Sequence, residues 1–137
     1  MDWRECLKKN LVKSIKIDKN LITSLIHSSS KKLKTQKSIN LDNDAATSKI
    51  SLAYESLREL LEALSINKGY KIYNHECYYA FLNEILGESE MADTFNKLRM
   101  IRNDVNYYGK DISAEEAEPI LNELENLIKN IKRKLGE

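Results

Sequence analysis

The 137-residue chain contains little proline, glycine and cysteine, and it has no long apolar run. One proline and four glycines are too few for a turn-rich β fold or for a disordered linker protein. No stretch of about 18 apolar residues occurs, which excludes a transmembrane helix, and the first ten residues lack the apolar segment of a signal peptide. Cys6 and Cys77 are too few for a disulfide framework and form no CxxC pair for zinc. These absences predict a cytoplasmic protein without a metal, another cofactor or a membrane partner.

Charge is abundant but unevenly distributed along the chain. Residues 1–37 contain ten Lys and Arg against three Asp and Glu, a formal charge of +7, whereas the remaining residues carry −6. Such asymmetry indicates either a surface that faces nucleic acid or an acidic partner, or simply a solvated helix face. The candidate phosphate contacts in this basic segment are Lys8, Lys9, Lys31, Lys32 and Lys34.

Apolar residues recur at helical spacing almost everywhere, most clearly between positions 50 and 64. That stripe comprises Ile50, Ala53, Tyr54, Leu57, Leu60, Leu61 and Leu64. No alternation of useful length predicts a strand. We therefore predict an all-α fold, an up-and-down antiparallel bundle of about five to six helices. A single domain is expected to span residues 1–137, with basic N-terminal helices in residues 1–40.

Residues that typically begin and end helices stand at the edges of these apolar stripes. Asp2 and Asp18 predict N-caps. Ser113 followed by Glu116 predicts a capping box for the last helix. Gly109 is expected to end the helix that precedes it, because glycine adopts the left-handed conformation of a helix C-terminus.

Most residues that could carry chemistry have a spacing that favours packing. Cys77 is expected to be a buried packing residue rather than a nucleophile. Tyr78 and Tyr108 fall in apolar stripes and are expected in the core. Tyr79 and Tyr107 fall outside those stripes, which leaves both rings free to meet a ligand or a partner.

The densest polar cluster lies near the end of the fifth predicted helix. Arg102 lies next to the apolar stripe of that helix, and an unpaired buried charge is costly. Its guanidinium must therefore either pair with an acid of a neighbouring helix or face a groove. Asn103 and Asn106 share one helix face. We predict a ligand or interface cleft formed by Arg99, Arg102, Asn103, Asn106 and Tyr107.

Three stretches of the chain resemble the HEPN superfamily, small helical-bundle proteins of bacteria and archaea. The first is the tyrosine-containing helix AYESLRELLEAL of residues 53–64, and the second is NHECYYAFL of residues 74–82, which begins like the family's histidine-led helix. The third is LRMIRNDVNYYG of residues 98–109, which contains an arginine followed by a polar residue, as in the family's signature. The resemblance covers residues 44–135, and it implies a homodimeric HEPN-like helical bundle.

The resemblance also implies a function, because many HEPN proteins are metal-independent ribonucleases of toxin–antitoxin, defence or RNA-processing systems. In the family's signature the arginine stabilises the phosphate transition state, and a histidine about five to seven positions later handles the proton of the 2′-hydroxyl. Arg102 and Asn103 match that signature, but Tyr107, Tyr108 and Gly109 stand where the histidine is expected. A tyrosine, with an ordinary pKa of about 10, is a poor base at neutral pH.

Three functions are compatible with these residues. The leading hypothesis is a non-catalytic HEPN-like protein that binds RNA or a nucleotide through a cleft around Arg102 and Asn103. The alternative is an endoribonuclease in which Arg102 and Asn103 act with Tyr107, or with His75, in place of the missing histidine. The third is an interaction module of a toxin–antitoxin or defence system, whose cleft receives a nucleotidyltransferase or another antitoxin partner.

Overall fold

Six α-helices account for most of the computed structural model, which describes residues 1–137. The helices are α1 (Trp3–Lys8), α2 (Lys19–Ser38), α3 (Ala46–Asn67), α4 (Glu76–Ala80), α5 (Ser89–Tyr108) and α6 (Ala114–Lys134). A π-helical turn, Phe81–Ile85, continues α4, and two three-residue strands, β1 (Val12–Ser14) and β2 (Tyr70–Ile72), complete the fold. The predicted all-α helical bundle is confirmed. None of the helices combines the length and the apolar character that crossing a membrane requires.

Helix α3 is the central element of the bundle and contacts α2, α5 and α6. Every residue of its predicted apolar stripe is buried. On its other side, Arg58 forms ion pairs with Glu55 and Glu62, three and four positions away, as the helical spacing suggests. The length and amphipathic character of α3 therefore determine where the surrounding helices pack.

Helices α2 and α3 approach each other closely at a pair of buried serines. The Ser29 hydroxyl donates to the carbonyl of Ser56 at 2.8 Å, and the Ser56 hydroxyl donates to the carbonyl of Ser29 at 2.9 Å. Serine is a weak helix former, because its hydroxyl competes for backbone groups. Here both hydroxyls bond to the facing helix, which explains why Ser29 occupies the middle of α2.

The predicted helix ends are confirmed. Asp2 and Asp18 accept hydrogen bonds from the backbone N–H groups three residues later, and Ser113 forms a complete capping box with Glu116. Gly109, with a φ of 63°, ends α5 in the left-handed conformation. These local signals fix the ends of α1, α2, α5 and α6 independently of tertiary packing.

The N-terminal segment differs from the sequence-based expectation. Asn10 has a φ of 57° and turns the chain after the short α1, so that β1 pairs antiparallel with β2, with Val12 opposite Ile72. Because each strand has only three residues, the sequence contains no alternation of apolar and polar residues long enough to predict either strand. Cys6 is fully buried and forms a disulfide with Cys77 across a sequence separation of 71 residues. The cysteines do not build a framework of several bridges, but they do form this one bond.

The two tyrosines expected in the core behave differently. Tyr78 is buried, as predicted. The core prediction for Tyr108 is wrong, since 80% of this residue is exposed. Residues 106–111 are all exposed, which means that no other element covers the end of α5. Helical spacing alone could not show that the last turn of α5 lies beyond the bundle.

Candidate functional site

A polar cleft lies between α5 and the segment that joins β2 to α4. It encloses about 290 Å³ and is lined by Tyr73, Asn74, His75, Glu76, Arg99, Arg102, Asn103 and Tyr107. Four of the five residues predicted to form a cleft therefore line it together. Asn106 does not, because it lies on another side of α5, where its side-chain oxygen accepts a hydrogen bond from Ser51 at 2.8 Å.

The segment that carries His75 is held in place from both sides. Before it, the backbone N–H of Tyr73 donates to the carbonyl of Leu11 at 2.8 Å, which extends the pairing of β1 with β2. After it, the side-chain oxygen of Asn74 accepts from the N–H of Glu76 at 2.7 Å and so caps the start of α4. The disulfide at Cys77 ties the same helix to α1. These contacts fix the position of the imidazole relative to α5.

Arg102 occupies the inner wall of the cleft and is only 8% exposed. Its Nη2 donates to Nδ1 of His75 at 2.7 Å, and its Nη1 donates to the hydroxyl of Tyr107 at 2.9 Å. The guanidinium carbon lies 4.5 Å from the centre of the Tyr54 ring, a distance suited to a cation–π interaction. Its Nε is buried and has no hydrogen-bond partner.

Neither Arg102 nor Arg99 takes part in an ion pair of the molecule. The alternative in which Arg102 pairs with an acid of a neighbouring helix is therefore wrong, and the guanidinium faces a groove. Arg99 is half-buried one helical turn earlier, and its Nη2 donates to the side-chain oxygen of Asn96 at 2.9 Å. Together with Glu76, which also lines the cleft, these two guanidinium groups leave the cleft with a net positive charge.

His75 is neutral in this environment. Burial lowers its pKa to about 4, and the nearby positive charges of Arg102 and Arg58 contribute to the decrease. Because a guanidinium can only donate, Nδ1 of His75 must accept, and the proton of the neutral ring lies on Nε2. The hydroxyl of Tyr54 lies 3.1 Å from the same Nδ1. Nε2–H is consequently the ring group that can donate to a ligand.

The exposed aromatic residues of the cleft are Tyr73 and Tyr107. Tyr107 is 67% exposed although its hydroxyl contacts Arg102, in agreement with the expectation that its ring is free to meet a ligand. Tyr73 was not predicted as a site residue, and 57% of it is exposed. Both rings present flat surfaces next to cationic groups, an arrangement suited to a ligand that combines a planar ring with an anion.

The lysines predicted as phosphate contacts lie outside the cleft. Lys31 and Lys32 line a separate groove between α2 and α3. Nζ of Lys32 forms an ion pair with Glu59 at 2.6 Å. Lys8, Lys9 and Lys34 are exposed, but they do not line any of the pockets. The basic N-terminal segment and the arginine cleft are therefore separate features of the surface.

Tyr54 is the site residue that sequence reasoning assigned to packing alone. It is completely buried in α3, beneath both Arg102 and His75. Its place in the apolar stripe of α3 correctly indicated burial. The signal for a further role was its hydroxyl, because a buried tyrosine usually has a hydrogen-bond partner for its polar end.

The donor groups of the cleft suit an anion rather than a metal ion. No three His, Cys, Asp or Glu side chains are grouped closely enough to hold a metal. The cleft is instead lined by the nitrogen-bearing side chains of Arg99, Arg102 and His75. A phosphate group is the biological anion that best matches several convergent charged donors. No family model matches the chain, and it has no significant similarity to a curated protein.

Proposed function

We propose that this chain is a HEPN-like protein that binds RNA or nucleotides, without cleaving them, through the cleft around Arg102 and Asn103. The observation that carries the proposal is the state of Arg102, a buried cation with no carboxylate partner and with an unsatisfied Nε. Leaving a buried charge unpaired costs several kcal/mol. A phosphate bound in the cleft would offset that cost by pairing with the guanidinium.

The geometry of His75 supports binding rather than catalysis. A general base must accept a proton at a nitrogen that reaches the substrate. Nδ1 of His75 already accepts from Arg102, and Nε2 carries the ring proton. A pKa of about 4 also makes the imidazole a weak base. The cleft is thus equipped to hold a phosphate but not to deprotonate a 2′-hydroxyl.

One observation favours the alternative, a metal-independent endoribonuclease. The fold places His75 at hydrogen-bond distance from Arg102, although the two residues are 27 positions apart. A histidine from the segment before α4 would then replace the one missing from the motif on α5. For this function, substrate binding must release Nδ1 from Arg102 and raise the pKa of His75 towards neutrality.

The test is a titration of the protein against a fluorescently labelled single-stranded RNA, with each point also run on a denaturing gel. If both arginines contact phosphate, the logarithm of affinity should fall with the logarithm of salt concentration with a slope of about −1.4. Affinity should thus fall about sevenfold between about 50 and about 200 mM salt. Arg102→Gln should weaken binding about tenfold or more and halve the slope.

Two further variants make the result specific. Arg133→Gln removes the same charge from an exposed site on α6, where the arginine contacts only Asn130, and should leave binding unchanged. Arg102→Lys keeps the charge but loses the planar fork, and should bind more weakly than the parent chain while remaining folded. Circular dichroism of each variant shows whether the helical bundle is intact.

Each outcome selects one function. Salt-sensitive binding of intact RNA that depends on Arg102 supports the proposal. Cleavage that depends on Arg102 would contradict it in favour of the ribonuclease, and His75→Gln and Tyr107→Phe would then identify the base. Equal binding by the Arg102 and Arg133 variants would place RNA on another surface. If the protein neither binds nor cleaves the RNA, that result would also contradict the proposal, and it would favour a protein partner.

The resemblance adds proposals about assembly and location. We propose a homodimer and, as a partner, an antitoxin such as a nucleotidyltransferase of a toxin–antitoxin or defence system. The cytoplasmic location stays a prediction from the sequence. The disulfide between Cys6 and Cys77 weighs against it, because such bonds persist mainly in oxidising compartments.

A further inference from the structure

A second polar depression adjoins the cleft on the side of Arg99. It encloses about 300 Å³ and is lined by Met1, Glu76, Tyr79, Asn96 and Arg99. Arg99 and Glu76 also line the Arg102 cleft, which encloses about 290 Å³. The two depressions therefore lie side by side across α4 and α5, and Arg99 lies on the wall that they share.

Building on the proposed function, we propose that this second depression is a subsite for a neighbouring nucleotide, so that the preferred ligand is a dinucleotide or a longer single strand. Each depression alone lies near the lower limit of the roughly 300–1,000 Å³ that is typical of ligand pockets. The two neighbouring depressions taken together lie well within that range. Their combined size thus suits two linked nucleotides better than one.

Arg99 is positioned to bind the phosphate that links the two nucleotides. Its Nε and Nη2 donate to the side-chain oxygen of Asn96 at 3.3 and 2.9 Å, which orients the guanidinium and leaves Nη1 free. No carboxylate forms an ion pair with it. Glu76, the carboxylate on the shared wall, can accept a hydrogen bond from a ribose hydroxyl or a base amino group.

Tyr79 supplies the aromatic surface of the second subsite. Its hydroxyl donates to a carboxylate oxygen of Asp93 at 3.0 Å, which fixes the ring at the edge of the depression. An aromatic ring beside a cation is the usual platform on which an unpaired base stacks. Each subsite then combines one arginine with one tyrosine: Arg102 with the exposed Tyr107, and Arg99 with Tyr79, which is half-buried against the core.

The test compares adenosine 5′-monophosphate, 5′-phosphorylated diadenylate and tetra-adenylate by isothermal titration calorimetry at one salt concentration. The dinucleotide should bind about tenfold more tightly than the mononucleotide, because it gains one phosphate contact and one stacked base. The tetranucleotide should bind only slightly more tightly than the dinucleotide. Because Arg99 lines both depressions, Arg99→Gln should weaken binding of the mononucleotide and of the dinucleotide, and should bring the ratio of the two affinities close to one.

Three further variants separate binding from folding. Tyr79→Ala should reduce the increase in affinity from the mononucleotide to the dinucleotide. Tyr79→Phe, which keeps the ring, should preserve most of this increase. Asn96→Ala keeps Arg99 but removes its anchor, and should reduce the increase by an intermediate amount. Equal affinities of the mononucleotide and the dinucleotide, both dependent on Arg102, would overturn the second subsite and leave the proposed function intact. If none of the three nucleotides binds, the proposed function and the second subsite are both wrong.

Discussion

His75 contacts a guanidinium and a phenol, and this environment gives its contribution to stability a definite pH dependence. In the folded chain its pKa is about 4, against about 6.5 for an ordinary histidine. Between these values the unfolded chain binds more protons, so stability is complete above about pH 6.5 and is lost as the pH falls towards 4. The full difference corresponds to about 3 kcal/mol. Because solvent reaches part of the ring, we expect about 1–2 kcal/mol.

Urea denaturation between about pH 7 and pH 4 measures this effect. His75→Gln cannot titrate, so the parent chain should lose about 1–2 kcal/mol more than this variant over that range. His27→Gln, at an exposed position of α2, serves as the control and should follow the parent chain. Parallel pH curves for the parent and the His75 variant would show that the imidazole does not titrate at a lowered pKa. Glu55, which also faces His75, titrates in all three proteins, and its interaction with the imidazole, which the His75 variant lacks, forms part of the measured difference.

Single residues also show where sequence reasoning reached its limit. The position of Arg102 beside an apolar stripe correctly restricted it to an ion pair or a groove, since a buried charge needs compensation. Whether Arg102 forms an ion pair or faces a groove depends on whether a neighbouring helix places a carboxylate beside it. Helical spacing within α5 does not give that information. His75 was only an alternative in the prediction, because its contact with Arg102 spans 27 residues and depends on β1, β2 and the disulfide.

At the scale of secondary-structure elements, the contact between α2 and α3 depends on the small size of Ser56. Ser56→Ala removes one hydrogen bond to Ser29 but leaves no buried donor unsatisfied, so we expect a loss of about 1 kcal/mol or less. Ser56→Val adds volume to a site with no exposed surface, and we expect a loss of about 2–3 kcal/mol. Chemical denaturation of the two variants measures both values.

Ser30→Val provides the matched control for this interface. Ser30 follows Ser29 on α2 but is exposed, so the same change should cost only a few tenths of a kcal/mol. If Ser56→Val were no more destabilising than Ser56→Ala, the two helices could separate at little cost. The serine pair would then not determine how closely they pack.

Helices were more predictable than strands because their signals are local. A cap such as Asp18 or Ser113 acts within three residues, and the stripe of α3 repeats over about four turns, so both can be read from sequence alone. The pairing of Val12 with Ile72 joins two three-residue strands that are sixty positions apart. Neither strand is long enough to show alternation, and only the folded chain brings them together.

At the scale of the whole molecule, the charge asymmetry of the sequence is partly neutralised by folding. Lys32 and Lys37 of the basic segment form ion pairs with Glu59 and Glu125 of the acidic remainder. Part of the +7 charge thus helps to attach α2 to α3 and α6 instead of attracting a partner. The arginine cleft lies elsewhere, on α5, in the part of the chain whose formal charge is negative. The overall distribution of charge therefore did not indicate where the candidate site is.

The disulfide links the N-terminal segment to the cleft and should contribute strongly to global stability. Closing a loop of about 70 residues in the unfolded chain corresponds to about 4 kcal/mol in the chain-entropy model. We expect dithiothreitol to lower the free energy of unfolding by about 2–4 kcal/mol, as measured by urea denaturation with free-thiol titration. Cys6→Ser/Cys77→Ser should be equally destabilised and should not respond to the reductant.

Equal stability of the oxidised and reduced parent chains would mean that β1, β2 and the packing of Trp3 hold this segment without the covalent bond. The position of His75 would then depend on those contacts alone.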